Sequence, residues 1–161
     1  MGILDFGFKQ VRGKVTEELF KRQTKRVALD VISLVESLPA SRTANVIGRQ
    51  LIRSGTSIGA NYRAACRGKS KADLLFKLSI VEEEADETVY WLELLIESHI
   101  VSKARVAALL KETDEIIAMI VASIKTLRER NDQFRNHHKS KIKSSKLEPD
   151  SYMDKDSSRT V

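Results

Sequence analysis

Residues 71–98, KADLLFKLSIVEEEADETVYWLELLIES, carry apolar side chains on two sides of a helix, and this constrains the fold more than any other stretch. Leu74, Leu78, Val81, Ala85, Val89, Leu92 and Ile96 line one face at helical spacing. Phe76, Ile80, Tyr90, Trp91 and Leu94 line a second, roughly opposite face, with Glu83 and Glu87 set among them. A helix apolar on two sides needs two covers. One is the core of a bundle; the other is a neighbouring helix or another subunit. Ser70 stands at the N-cap position, with Asp73 three residues on in the place of a capping-box acid.

The preceding run, residues 43–67, reads as a helix that packs closely. Thr43 is its expected N-cap and Gly68 its expected C′ residue. Ile47, Leu51, Ser54, Ile58, Tyr62 and Ala65 fall on one face. Gly55 and Gly59 each cost roughly 1 kcal/mol in a helix interior, a loss that close approach of a neighbour offsets. Opposite the apolar face, Arg49, Arg53, Arg63 and Arg67 fall within about 80° of one another. No acidic residue occurs between Ala40 and Ala72, so this is a clustered basic face, continued by Lys69 and Lys71.

Two further helices complete the pattern. Residues 15–38 place Leu19, Val27, Val31, Leu34, Val35 and Leu38 at helical spacing, and Pro39 ends the run by lacking an N–H. The basic clump Lys21, Arg22, Lys25 and Arg26 reads as a solvated face. Residues 103–130, after Ser102 as N-cap, bury Val106, Leu109, Leu110, Thr113, Ile117, Ile120, Ile124 and Leu127. Short connections between four amphipathic helices predict an all-α, up-down-up-down antiparallel four-helix bundle over residues 15–130. Residues 1–14, with Ile3, Leu4, Phe6, Phe8 and Val11, read as an extension that folds back on the bundle or docks on a partner. Residues 131–161 lose the periodicity and read as a disordered polar tail.

Composition excludes several classes. One cysteine, Cys66, permits no intramolecular disulfide and fits a reducing cytoplasm. The start lacks the charged and apolar regions of a signal peptide, Phe6 stands where a myristoylation signal wants Ser or Thr, and no apolar run is long enough for a membrane. The net charge of +6 permits an acidic partner without requiring one.

No catalytic constellation emerges. A di-iron bundle needs Glu-x-x-His on two helices. Here the histidines, His99, His137 and His138, lie outside the four apolar stripes, and residues 43–67 contain no carboxylate, so no metal or cofactor is expected. Cys66 and Ser57 have no histidine positioned to activate them, and Gly68-Lys69-Ser70 lacks the spaced glycine of a P-loop. What remains is charge. The arginine face and Lys69 and Lys71 can meet RNA or DNA phosphates, which arginine forks suit. The alternative is a protein-interaction scaffold in which Arg and Glu residues form ion pairs. There Gln50, Ser57, Asn61, Glu83, Glu87 and Trp91 build a polar network that fixes register and assembly.

RQLIRSGTSIGANYRAA (residues 49–65) and KLSIVEEEADETVYWLELL (residues 77–95) resemble the bacterial four helix bundle protein family, also called the 23S rRNA-intervening sequence proteins. The resemblance covers roughly residues 22–127 and is most specific over residues 53–61, at Glu87 and over residues 90–94. Ala64 stands where members often carry an acid, which leaves this helix more basic than usual. The resemblance implies a homo-oligomeric ring, commonly a pentamer, without established enzymatic activity. More distantly, the chain is similar to the accessory variability determinant of diversity-generating retroelements, a kinship that implies nucleic-acid binding.

Overall fold

The computed structural model describes residues 17–145, with side chains described through residue 130. Four helices, α1 (Glu17–Glu36), α2 (Arg42–Cys66), α3 (Lys71–Glu97) and α4 (Lys103–Ser145), form an all-α four-helix bundle, and the described residues contain no strand. The expected extension over residues 1–14 lies outside the described residues.

Local chemistry sets the helix ends. In α1, Ser37 and Leu38 donate back to Leu34 and Val35 at 3.1 Å each, a tightened last turn directly before Pro39. The N-cap of α2 is Ser41, not Thr43. Its backbone is extended (φ −129, ψ 155) and its side chain accepts from the Ala44 N–H at 3.1 Å, so Arg42 is already helical. Ser70 caps α3 as expected, accepting from the Asp73 N–H at 3.1 Å. The Asp73 carboxylate accepts from the Lys69 N–H at 3.1 Å, one residue before the usual capping-box donor. At the other end of α3, the Ile100 N–H reaches the Leu95 carbonyl at 3.0 Å and the His99 N–H reaches Ile96 at 2.9 Å. That is a Schellman motif, with His99 in the left-handed region (φ 57) that glycine usually occupies.

The core runs between all four helices. Phe20, Val27 and Val31 of α1, Leu51, Ile58 and Tyr62 of α2, Leu78, Val81 and Leu92 of α3, and Ile116 and Ile120 of α4 are fully buried. The inward face of α2 is the expected one throughout. On α3 the buried row takes in Thr88 and Leu95, while Val89 and Ile96 are only half-buried; on α4 Ile116, not Ile117, points inward. On α1, Phe20 rather than Leu19 points inward, and Thr24 adds a buried position one turn on. Each slip is one residue, about 100° of rotation, which apolar spacing alone does not resolve when both neighbours are apolar or small.

α2 is the helix to which others come closest. A Cβ at Gly55 would stand 2.8 Å from a Val31 methyl, and one at Gly48 would stand 3.0 Å from Val35, so glycine lets α1 lie against α2. Pairing of Val35 with Gly48 and Thr24 with Gly59 makes these two helices antiparallel. On the other side of α1, Arg26 reaches Glu112 of α4 at 3.7 Å and Arg105 of α4 donates to Ser37.

α4 is longer than the spacing predicts, continuing past Arg130 to Ser145. Gln, Arg and Lys are good helix formers, so a polar sequence stays helical without an apolar stripe to announce it. The bundle unit ends at Leu127, and Arg128 opens a second unit in which the described residues are helical to Ser145.

Candidate functional site

The outer face of α2 divides into two chemically different parts. Arg53 is bound to α3. Its guanidinium pairs with the Glu87 carboxylate, approaches Glu84 at 3.6 Å and donates through Nε to Gln50 Oε1 at 3.3 Å. Trp91 donates its indole N–H to the same Glu87 oxygen at 3.0 Å. Gln50, Arg53, Glu87 and Trp91 thus form one network joining α2 to α3, and Glu84 completes it.

The two carboxylates sit in opposite electrostatic situations. The Arg53 hydrogen bond, helped by the Trp91 N–H, holds Glu87 below the usual carboxylate range. Burial pushes Glu84 above that range, and the Arg53 charge only partly opposes it. Beneath the network, Thr88 Oγ1 donates to the Glu84 carbonyl at 2.8 Å and lies 3.0 Å from Ser54 Oγ in the interior. Three residues of the expected network do not join it. Asn61 bonds locally, donating to the Ser57 carbonyl at 3.0 Å, Ser57 takes part only through that carbonyl, and Glu83 is exposed with no ion pair among the described residues.

Arg49, Arg63 and Arg67 form the second part. All three are exposed and make no ion pair among the described residues. Lys69, in the turn, is exposed, and Lys71 at the start of α3 is half-buried. The arginine face therefore carries three outward cations, with Arg53 withdrawn to the α3 side. Glu84, Ser54 and Thr88 are not among the site residues that the sequence suggests. The signal available was position: Glu84 lies three residues before Glu87, one turn along the same helix face.

The outer α3 surface is mixed. Phe76 (64 %) and Tyr90 (52 %) are exposed, while Ile80, Trp91 and Leu94 are half-buried. Inward of α2, Cys66 lies beside Tyr62 and Glu17; burial, reinforced by the Glu17 charge, pushes its thiol up to about 11. Between α1 and α4 an open cleft of about 330 Å³ is lined by Asp30, Ser33, Ser37 and Arg105 among others. Its guanidinium is engaged by Ser37. No group of His, Cys, Asp and Glu among the described residues could hold a metal ion, and no helix among them is long and apolar enough to cross a membrane.

A family model described as 23S rRNA-intervening sequence protein matches residues 19–122. Among solved structures, the chain is similar to a protein with unknown function from the S23 ribosomal protein family of Bacteroides thetaiotaomicron, determined at 1.70 Å. The two are 35 % identical with a TM-score of 0.64, over 68 % of this chain and 97 % of the other. A comparison with curated proteins finds no match.

Proposed function

The chain belongs to the 23S rRNA-intervening sequence protein family, and from that premise we propose a non-catalytic, self-associating helical bundle that binds nucleic acid through the outer face of α2. The observation that carries this reading is the division of labour among the arginines. Arg53 is consumed by Glu87 and Glu84, whereas Arg49, Arg63 and Arg67 are exposed and make no ion pair among the described residues. Unpaired arginines on one helix face suit phosphate oxygens, each accepting from a guanidinium fork. Lys69 and Lys71 extend the charge at the end of the helix. RNA is the favoured ligand, with DNA sharing the same backbone chemistry.

The exposed rings of α3 support self-association. Phe76 and Tyr90 stand on a face that one bundle leaves uncovered, next to half-buried Ile80, Trp91 and Leu94. Aromatic side chains of this kind are enriched at the centres of protein interfaces. A ring of copies, a pentamer by family resemblance, would cover them around the Arg53–Glu87 pair.

Light-scattering mass, together with the absorbance ratio at 260 and 280 nm before nuclease treatment, tests both halves. The expected result is an oligomer carrying nucleic acid that salt removes, because phosphate contacts weaken steeply with salt. Changing Arg49, Arg63 and Arg67 together to Gln is expected to abolish binding and keep the mass. Loss of the oligomer first would assign those arginines to assembly, leaving a scaffold without nucleic acid. Trp91→Ala is expected to lower the mass, and Tyr90→Ser, at a more exposed position, serves as the companion variant that spares the core. Wild-type mass in both would end the α3 interface.

A further inference from the structure

The basic clump of α1 is divided by the fold in a way its sequence does not reveal. Lys21 is held by Glu17 at 2.6 Å and Glu18 at 2.9 Å, and Arg26 lies between Asp30 at 3.8 Å and Glu112 of α4 at 3.7 Å. Arg22 and Lys25 are exposed and make no ion pair among the described residues. The same fold brings them to the end of α2 that carries Arg63 and Arg67. Phe20 and Tyr62 meet in the interior as a tilted ring pair with centroids 4.3 Å apart, and a Cβ at Gly59 would stand 3.5 Å from the Thr24 carbonyl. At the surface above this contact, Glu18 feels Lys21 first and then the charges of both Arg22 and Arg63.

Two rows of like charge are therefore held side by side on helices whose axes are about 8–10 Å apart. Within each row, residues three or four apart are neighbours on the helix surface. Among the described residues, the ion pairs of Lys21, Arg22, Lys25, Arg63 and Arg67 are those of Lys21 with Glu17 and Glu18. Packing cations together opposes folding by self-repulsion, and a polyanion relieves it. Nothing in the core requires charge at these surface positions.

We propose that Arg22 and Lys25 of α1, with Arg63 and Arg67 of α2, form a two-helix cradle for the phosphate backbone of a nucleic-acid duplex. The proposal rests on the nucleic-acid reading above and moves its centre from the length of α2 to the α1–α2 seam. Duplex rather than single strand follows from the absence of an exposed ring on α1 and α2 among the described residues. The aromatic side chains of α1 and α2, Phe20 and Tyr62, are fully buried, and the exposed rings Phe76 and Tyr90 stand on α3. Single-strand binders stack unpaired bases on exposed rings, whereas a duplex offers chiefly phosphates to a surface without them.

The test is fluorescence anisotropy with a labelled RNA duplex about two helical turns long, an equal DNA duplex and a single-stranded RNA, each across a salt series. With one phosphate on each of the four cations, the slope of log K against log salt for a duplex is about −3.6. The double variant Arg22→Gln with Lys25→Gln is expected to bind about tenfold or more weakly at low salt and to flatten the slope by about 1.8. Arg42→Gln with Lys103→Gln, at the opposite end of the bundle, is expected to stay within about twofold of wild type with its slope unchanged. Wild-type binding with Arg22→Gln/Lys25→Gln indistinguishable from that control would overturn the cradle and leave the α2 reading standing. Absence of any wild-type binding would sink both. Tighter binding of single strand than of either duplex would overturn the duplex assignment. The RNA and DNA arms identify which backbone is preferred.

Discussion

The carboxylate of Glu87 on α3 is held by the guanidinium of Arg53 on α2, and the indole N–H of Trp91 donates to the same oxygen at 3.0 Å. An ion pair half open to solvent adds little to stability by itself. This one has a directional role, because a one-residue slide or a turn of either helix parts Arg53 from both Glu87 and Glu84, the contacts that cross between α2 and α3. It therefore fixes how α2 lies on α3 and how the exposed outer face is presented.

Glu84 and Glu87 are expected to respond to pH with opposite sign. Glu87 is lowered in the fold, so its contribution is present above its unfolded pKa and lost as pH falls through the folded value. Glu84 is raised, so the fold is favoured by its protonated form and that gain is lost as pH rises through the folded value. At neutral pH, Glu87→Gln is expected to lower Tm by a few degrees and Glu84→Gln to leave it unchanged or raise it. Both differences should shrink on acidification through the carboxylate range. Thermal unfolding from neutral to acidic pH checks this; a Glu84→Gln variant that loses more stability than Glu87→Gln would contradict it.

Ser54 and Thr88 give a cleaner stability measurement, since both are fully buried. Thr88→Val removes the hydroxyl that meets Ser54 and caps the Glu84 carbonyl, with an expected cost of about 1–2 kcal/mol in urea unfolding. Adding Ser54→Ala removes the stranded partner, so the double variant should be less destabilised than the sum of the singles. Strict additivity would mean that the two hydroxyls do not cooperate.

Neighbouring glycines of α2 are expected to behave differently on conversion to alanine. At Gly55 the new methyl meets Val31 at 2.8–3.2 Å, including its Cβ, which no rotamer change moves. Overpacking of about 1–3 kcal/mol should outweigh a helix-propensity gain of about 1 kcal/mol, giving net loss. At Gly59 the nearest atom is 3.4 Å away, an ordinary contact, so Gly59→Ala should stabilise by about 0.5–1 kcal/mol. Paired denaturation curves decide the sign at each position.

Cys66 is expected to be a slow thiol. With its pKa pushed up to about 11, little thiolate exists near pH 8. Alkylation by iodoacetamide at that pH should be at least about tenfold slower in the native protein than in urea, where the thiol returns to about 8.5. Equal rates would place the sulfur in solvent.

Helix count, helix order and the inward face of α2 are legible in the sequence, because each rests on local spacing. Ile47, Leu51, Ser54, Ile58 and Tyr62 repeat with the helix period, and Pro39 and the Gly68–Ser70 turn mark the breaks. Rotation is less legible on α3 and α4, where Val89 stands beside Thr88 and Ile117 beside Ile116. Adjacent residues compatible with burial leave that choice to the neighbouring helices. The end of α4 is not legible either, because polar residues that favour helix leave no apolar mark.

The sequence by itself determined the four helices, the starts of α2, α3 and α4 to within two residues, and the presence of a basic face without a carboxylate. Only the tertiary structure decided what each charge does. Arg53 and Arg49 are one turn apart on the same helix, yet Arg53 meets Glu87 and Arg49 does not. Lys21 and Arg22 are consecutive, yet Lys21 is held by Glu17 and Glu18 while Arg22 makes no ion pair among the described residues. Local periodicity fixes which way a side chain leaves its helix. Whether a carboxylate or another cation waits there depends on a second helix far away in the chain, and only packing brings the two together.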